Sequence, residues 1–151
     1  MKRTLFVCAT VLVIGVVNES NQVVGQDAVP ARKSAAQLLP ADSVKWVTVR
    51  PGQDSSVLWG DPRSGAYGRF NRFASGFDDR PHLHTRDLRA VVIAGTMIVK
   101  IGGDPSVELG PGSYQLVPGG AAHTHSCKAG AACVLFVEQD GPNDSITVQP
   151  N

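Results

Sequence analysis

The chain carries Pro81-His82-Leu83-His84 and, about forty residues on, His123-Thr124-His125; these two His-x-His pairs hold all four of its histidines. Side chains alternate faces along a strand, so residues i and i+2 point the same way. Each pair can aim two imidazoles at one point. Neutral imidazole is the commonest protein ligand for zinc, copper, iron and nickel. Two such pairs converging from neighbouring strands would build a metal site inside a β-structure.

The sequence around the pairs is that of short strands between turns. Val44–Val49, Ser55–Trp59 and Tyr67–Phe73 read as strands, separated by Pro51-Gly52 and by Gly60-Asp61-Pro62 with Ser64-Gly65. In the third, odd positions hold Tyr67, Arg69, Asn71 and Phe73, and even positions hold Gly68, Phe70 and Arg72. Neither face is cleanly apolar, as fits a strand facing a polar cavity or a sheet edge. Leu88–Ala94 and Thr96–Ile101 flank Gly95. Val107–Leu109, Ser113–Val117, His123–Cys127 and Val134–Glu138 follow, divided by Gly- and Pro-rich turns. Only a short helical turn near Ala35–Leu39 is expected. Many short strands with frequent turns argue an all-β sandwich or barrel.

Outside this region the chain changes character. Residues 1–25 have a positive start at Lys2 and Arg3, an apolar run over Leu5–Val17, and small or medium residues at Val23-Val24-Gly25. That is the pattern of a secretory signal peptide, and the run is shorter than the roughly 20 residues a membrane span needs. A secreted or periplasmic protein is expected, with no membrane attachment once the signal is removed. Residues 26–43 read as a flexible leader, 44–140 as the folded domain and 141–151 as a loose C-terminal tail. Removing 1–25 takes away Lys2, Arg3 and Glu19, so the net charge of +1 becomes 0. A neutral chain gives no electrostatic case for nucleic acid or an anionic membrane. Cys127 and Cys133 remain as an even pair in a chain bound for an oxidising compartment, and Gly130 between them suits a hairpin. A disulfide is the favoured reading, over free thiols or thiolate ligands; it would contribute about 2 kcal/mol in the loop-entropy model.

Spacing carries the reading further. Gly76 is followed by five residues, His82-Leu83-His84, and later Gly95; Gly112 is followed by five residues, Pro118, Gly120 after one more, and His123 after two. In order, these resemble the two patterns of the cupin superfamily, over about 58–139, and Leu58-Trp59-Gly60-Asp61-Pro62 resembles small single-domain bacterial cupins. The resemblance implies a double-stranded β-helix, or jelly-roll, barrel of two antiparallel sheets with a metal inside one end. By position, His82, His84 and His123 look like ligands to one divalent transition metal: Fe, Zn, Mn, Ni or Cu. The chain departs from the pattern at the carboxylate, where Leu88 or Arg89 stands instead of Glu, and at Cys127 in place of Asn. A three-histidine shell is the simplest replacement, and a four-histidine shell recruiting His125 is the other; His125 otherwise supports a ligand by hydrogen bonding.

Arg69, Arg72, Arg80, Arg86 and Arg89 cluster in sequence around the first histidine pair. They read as a solvated rim, or as clamps for an anionic ligand, since guanidinium binds carboxylate bidentately; Arg72 and Arg89 are the candidates. A metal held only by histidines keeps open positions and one more unit of positive charge than the usual shell. That favours a small anionic organic substrate and, by resemblance, dioxygenase-like chemistry. A binding module for a metal or small ligand is the alternative, and pairing of two copies through their sheets is a third expectation.

Overall fold

The computed structural model describes residues 35–148. The expected signal peptide and most of the expected leader lie outside the described residues. Eleven strands follow a single short 3-10 turn at Ala41–Ser43: β1 Val47–Arg50, β2 Gln53–Gly60, β3 Tyr67–Phe73, β4 His82–Leu83, β5 Leu88–Ala94, β6 Met97–Ile101, β7 Val107–Leu109, β8 Tyr114–Val117, β9 His123–Cys127, β10 Cys133–Gln139 and β11 Ile146–Thr147. They form a six-stranded sheet in the order β1-β2-β3-β10-β5-β8 and a five-stranded sheet in the order β11-β4-β9-β6-β7. Every pairing is antiparallel. No described helix is long and apolar enough to cross a membrane.

The all-β expectation holds, and β3, β5, β7 and β9 have the expected bounds. The helical turn expected near Ala35–Leu39 is absent; the 3-10 turn lies just beyond it, after Pro40, whose φ of −57° suits the entry. The compact unit begins at Leu38, ahead of the expected start at Val44. The tail is the larger correction. Residues 141–148 are not loose: β11 pairs with β4, joining Ile146 to Leu83 and Thr147 to His82. A two-residue strand has no periodicity to read, and Gly141-Pro142-Asn143 before it resembles a chain leaving the fold.

Burial alternates along β5, β8, β9 and β10, as a strand with one face in a core requires. The inward set includes Leu88, Ala90, Val92, Met97, Val99, Val117, Leu135 and Val137, which form one cluster between the sheets. Cys127 and Cys133 are buried in it and joined as a disulfide. Gly95 makes the tight β5–β6 turn at φ +73°, and a Cβ there would lie 2.6 Å from the Ala132 carbonyl. Only glycine satisfies both demands. One end of the barrel is left polar: Asn71 on β3, Gln115 on β8 and the four histidines are buried there.

Candidate metal centre

The histidines come from two adjacent strands of the five-stranded sheet. His82 of β4 is the direct cross-strand partner of His123 of β9. His125 follows on the same face of β9, and His84 leaves the end of β4 with the same inward parity. Leu83 and Thr124 between them are half-buried, so the alternation read from sequence is present. The ring centroids lie 4.4 Å apart for His82–His123, 4.8 Å for His123–His125, 5.0 Å for His82–His84 and 5.2 Å for His84–His123.

Three of them, His82, His123 and His125, each offer a ring nitrogen within 4.8 Å of the other two. His84 adjoins this trio, its ring centroid 5.0 Å from His82 and 5.2 Å from His123, while His125 lies 5.8 Å from His82. The sequence pattern favoured His84 and left His125 between ligand and support; the structure brings all four rings together, with His125 in the tightest group of ring nitrogens. His84 lies past the end of β4, and its Nδ1 donates to the Asp144 carbonyl, which holds the ring beside the C-terminal segment.

The outer hydrogen bonds fix the tautomers. His82 Nδ1 donates to the Arg80 carbonyl at 2.8 Å and His123 Nδ1 to the Ala121 carbonyl at 2.9 Å. A carbonyl only accepts, so each proton sits on Nδ1 and each lone pair on Nε2. His123 Nε2 is buried with no partner. A buried acceptor left unpaired costs about 1–3 kcal/mol, and backbone carbonyls orienting Nδ1 are the usual support for a histidine that binds a metal through Nε2. The donor set therefore fits a divalent transition metal. His125 differs, since Gln115 Nε2 lies 3.2 Å from its Nε2. The amide orientation sets this tautomer: N–H toward the ring puts the imidazole proton on Nδ1, and C=O toward the ring puts it on Nε2.

Burial holds His123 at a pKa of about 4 and His125 at about 3, against an ordinary 6.5, and neighbouring histidines add to the effect. His84 is lowered as well, mainly by burial. Neutral imidazoles at neutral pH are what a metal requires.

A cavity of about 260 Å³ opens beside His82, His84 and His125, and Gln53, Arg69 and Asn71 line its other side. Leu88, 6% exposed, lines it too, so the position where the cupin pattern has Glu carries an inward apolar side chain. Asp79 stands at the rim, gripped by Arg50 through bonds of 2.9 and 2.6 Å. Burial would raise the Asp79 pKa, but Arg50 outweighs it and holds the carboxyl low. Behind the histidines is a void of about 20 Å³ among Asn71, Gln115 and His125. It has room for one water. Two unpartnered acceptors, Asn71 Oδ1 and Gln115 Oε1, belong to residues that line it.

The expected substrate arginines are not in the cavity. Arg72 pairs with Asp54 at 2.7 Å and stacks over Trp46 at 4.4 Å. Arg89 pairs with Asp87 at 3.2 Å and lines an outer groove with Val91, Tyr114 and Phe136. Both lie on the strand face opposite the core residues. Arg69 lies on the inner face of β3 instead, and its parity with Asn71 and Phe73 was the available signal. Nothing comparable marks the Arg80, Ala121 and Asp144 carbonyls, because backbone acceptors leave no trace in residue identity.

The family described as "Domain of unknown function (DUF4437)" has a model that matches residues 17–146. The chain belongs to this family, and its fold is that of the cupins. The match begins inside the run read as a signal peptide. No curated protein matches. Among solved structures, this cupin is similar to the polyketide cyclase RemF from Streptomyces resistomycificus, with TM-score 0.66 and 19% identity over 78% of this chain and 88% of that one. An RmlC-like cupin from Shewanella frigidimarina gives TM-score 0.60 and 16% identity, covering 72% and 93%. Oxalate oxidase in complex with glycolate gives TM-score 0.53 and 17% identity, covering 64% and 55%. At these identities the likeness shows the fold alone.

Proposed function

We propose that this cupin binds one divalent transition metal through His82, His123 and His125, with His84 beside them, and acts on a small anionic organic substrate in dioxygenase-like chemistry. The observation that carries the metal reading is His123 Nε2, buried without a partner at the centre of the trio. A histidine-held metal would supply Lewis acidity and open positions for substrate and dioxygen. With Leu88 in the Glu position no ligand carboxylate offsets the metal charge, which favours an anion. The similar oxalate oxidase binds glycolate, a small acid.

The chain's own residues bind and orient. Arg80 and Ala121 carbonyls fix two imidazoles and the Asp144 carbonyl fixes a third ring. The acids near the site are already engaged: Asp79 with Arg50, Asp144 with the Thr85 amide and Asp87 with the Gly119 amide, while Asp79 and Asp144 stand 3.9 and 3.8 Å from His82 and His84 Nδ1. This shortage of a free proton carrier favours a second reading, a non-catalytic module that holds a metal or small ligand.

Elemental analysis of protein purified without a metal-affinity tag, with His123→Ala beside it, tests the centre. One metal per chain, lost in the variant, is expected. No metal in either, and no uptake on reconstitution, would overturn it. Oxygen consumption by the iron-loaded protein with small organic acids then separates enzyme from module. The Cys127–Cys133 disulfide supports a secreted or periplasmic location, which N-terminal sequencing of the mature protein checks. Exposed Val91, Ile93, Tyr114 and Leu116 on neighbouring β5 and β8 support pairing of two copies, readable by light scattering.

A further inference from the structure

We infer that Arg69 is the anion receiver of the histidine-lined cavity and takes the carboxylate of a small organic acid. The inference rests on reading this cavity as the ligand site, and it names the group that recognises the ligand.

Four other arginines have carboxylate partners: Arg50 with Asp79, Arg63 with Asp61, Arg72 with Asp54 and Arg89 with Asp87. Arg80 and Arg86 are exposed. Among the described residues Arg69 is the partly buried arginine with no carboxylate within 4.0 Å. Its Nη2 donates to the neutral Asn143 Oδ1 at 3.0 Å, and its guanidinium carbon lies 5.1 Å from the centre of the Tyr67 ring. Its Nε is buried and donates to nothing.

A desolvated cation with only neutral partners is costly, and a buried donor left unpaired adds to the cost. An occupant carrying negative charge offsets the first of these. The planar pair of terminal N–H groups matches the two oxygens of a carboxylate. The cavity, about 260 Å³, has room for a small organic acid. Tyr67, through its ring, and Asn143, through Oδ1, hold the guanidinium in place; the Tyr67 hydroxyl is itself fixed by Gln139 Oε1, with Asn143 Oδ1 3.0 Å away.

The test is calorimetric titration of glycolate, oxalate, malonate and succinate, with glycolamide as the neutral control. It uses the full chain, metal-free and zinc-loaded, as wild type, Arg69→Gln, Arg69→Lys and Arg72→Gln, with zinc stoichiometry measured on each. At least one acid is expected to bind wild type and to prefer it to glycolamide. Arg69→Gln should weaken that acid by ~30-fold or more, the scale of losing a buried charge partner, and keep its zinc. Arg72→Gln, altered on the outer face, should match wild type. If Arg69→Gln fails to fold, Arg69→Lys decides: it keeps the charge and loses the fork, so binding should fall ~tenfold. No acid bound by a wild type that takes up zinc, or an acid bound equally by the Arg69 variants, would overturn the inference alone. Acid binding that depends on Arg69 in a chain that takes up no zinc would confirm it and sink the metal centre instead.

Discussion

His82 and His123 face each other across the β4–β9 ladder, with ring centroids 4.4 Å apart. Each is anchored at Nδ1 by a backbone carbonyl two residues before it in the chain. This pair is the rigid half of the site. Replacing either histidine by alanine should abolish stoichiometric metal binding, and His125→Ala should weaken it by well over tenfold. His84→Ala, outside the trio, should cost only ~10–100-fold, the range for a supporting partner. Competition against a chromophoric chelator ranks all four. A His84→Ala loss as complete as that of His123→Ala would return His84 to the ligand set.

The acid response of the metal-free protein follows from burial. His123 and His125 have folded-state pKa values of about 4 and about 3, both below the ordinary 6.5. As pH falls the unfolded chain takes up these protons first, so the histidines favour unfolding increasingly below 6.5. Stability is full above 6.5 and declines as pH drops toward 4 and then 3. Denaturant midpoints between pH 7.5 and 4.5 should show a steady fall, and a His123→Ala, His125→Ala double variant should show a flatter one. Equal slopes would mean that other groups govern acid unfolding.

Much of this was legible in the sequence. The strands with regular alternation, above all β9 with His123, Thr124 and His125, announce themselves, because one buried face imposes a period of two. Gly95 falls where both a Cβ and a negative φ are excluded. What could not be read was carried by groups without a pattern. β4 and β11 are two residues each. The Asp144 carbonyl reaches His84 across 60 positions in sequence. Arg72 and Arg89 look no different from Arg69 by composition; strand parity and the positions of Asp54 and Asp87 decide which faces inward.

The disulfide closes a separation of only six residues, so its effect should be modest. Cys127→Ser with Cys133→Ser should cost about 2 kcal/mol in the loop-entropy model, or roughly 10 °C in Tm for a domain of this size. Cys127 is two residues beyond His125 on the same face of β9, so metal affinity should fall slightly as well. Calorimetry in oxidising buffer gives the Tm, and thiol titration of the wild type should find no free thiol at these positions.

The segment after Asp140 ties the barrel mouth. Asn143 Oδ1 accepts from Arg69, Asp144 accepts from the Thr85 amide and His84, and β11 pairs with β4. A chain ending at Asp140 should still fold, because the apolar cluster lies entirely before that point. It should melt several degrees lower and bind metal more weakly, with Arg69 and His84 released. Deuterium exchange should localise the loosening to Pro81–Arg86. An unchanged exchange pattern there would refute the tie.

Leu88 offers a test of the missing carboxylate. It lies at the cavity wall, 6% exposed, where the cupin pattern carries Glu. In the metal-free protein Leu88→Glu places a carboxylate among buried neutral imidazoles, which should destabilise by a few kcal/mol or raise the glutamate pKa. With zinc the same carboxylate gains a cation to neutralise. The metal-induced rise in Tm should therefore be larger for Leu88→Glu than for wild type. The small-acid affinity of the zinc form should fall, because the added negative charge competes with the ligand for the same positive site. Melting curves with and without zinc measure the first, and titration of the zinc-loaded protein measures the second. A variant whose zinc response matches the wild type would show that position 88 does not face the metal.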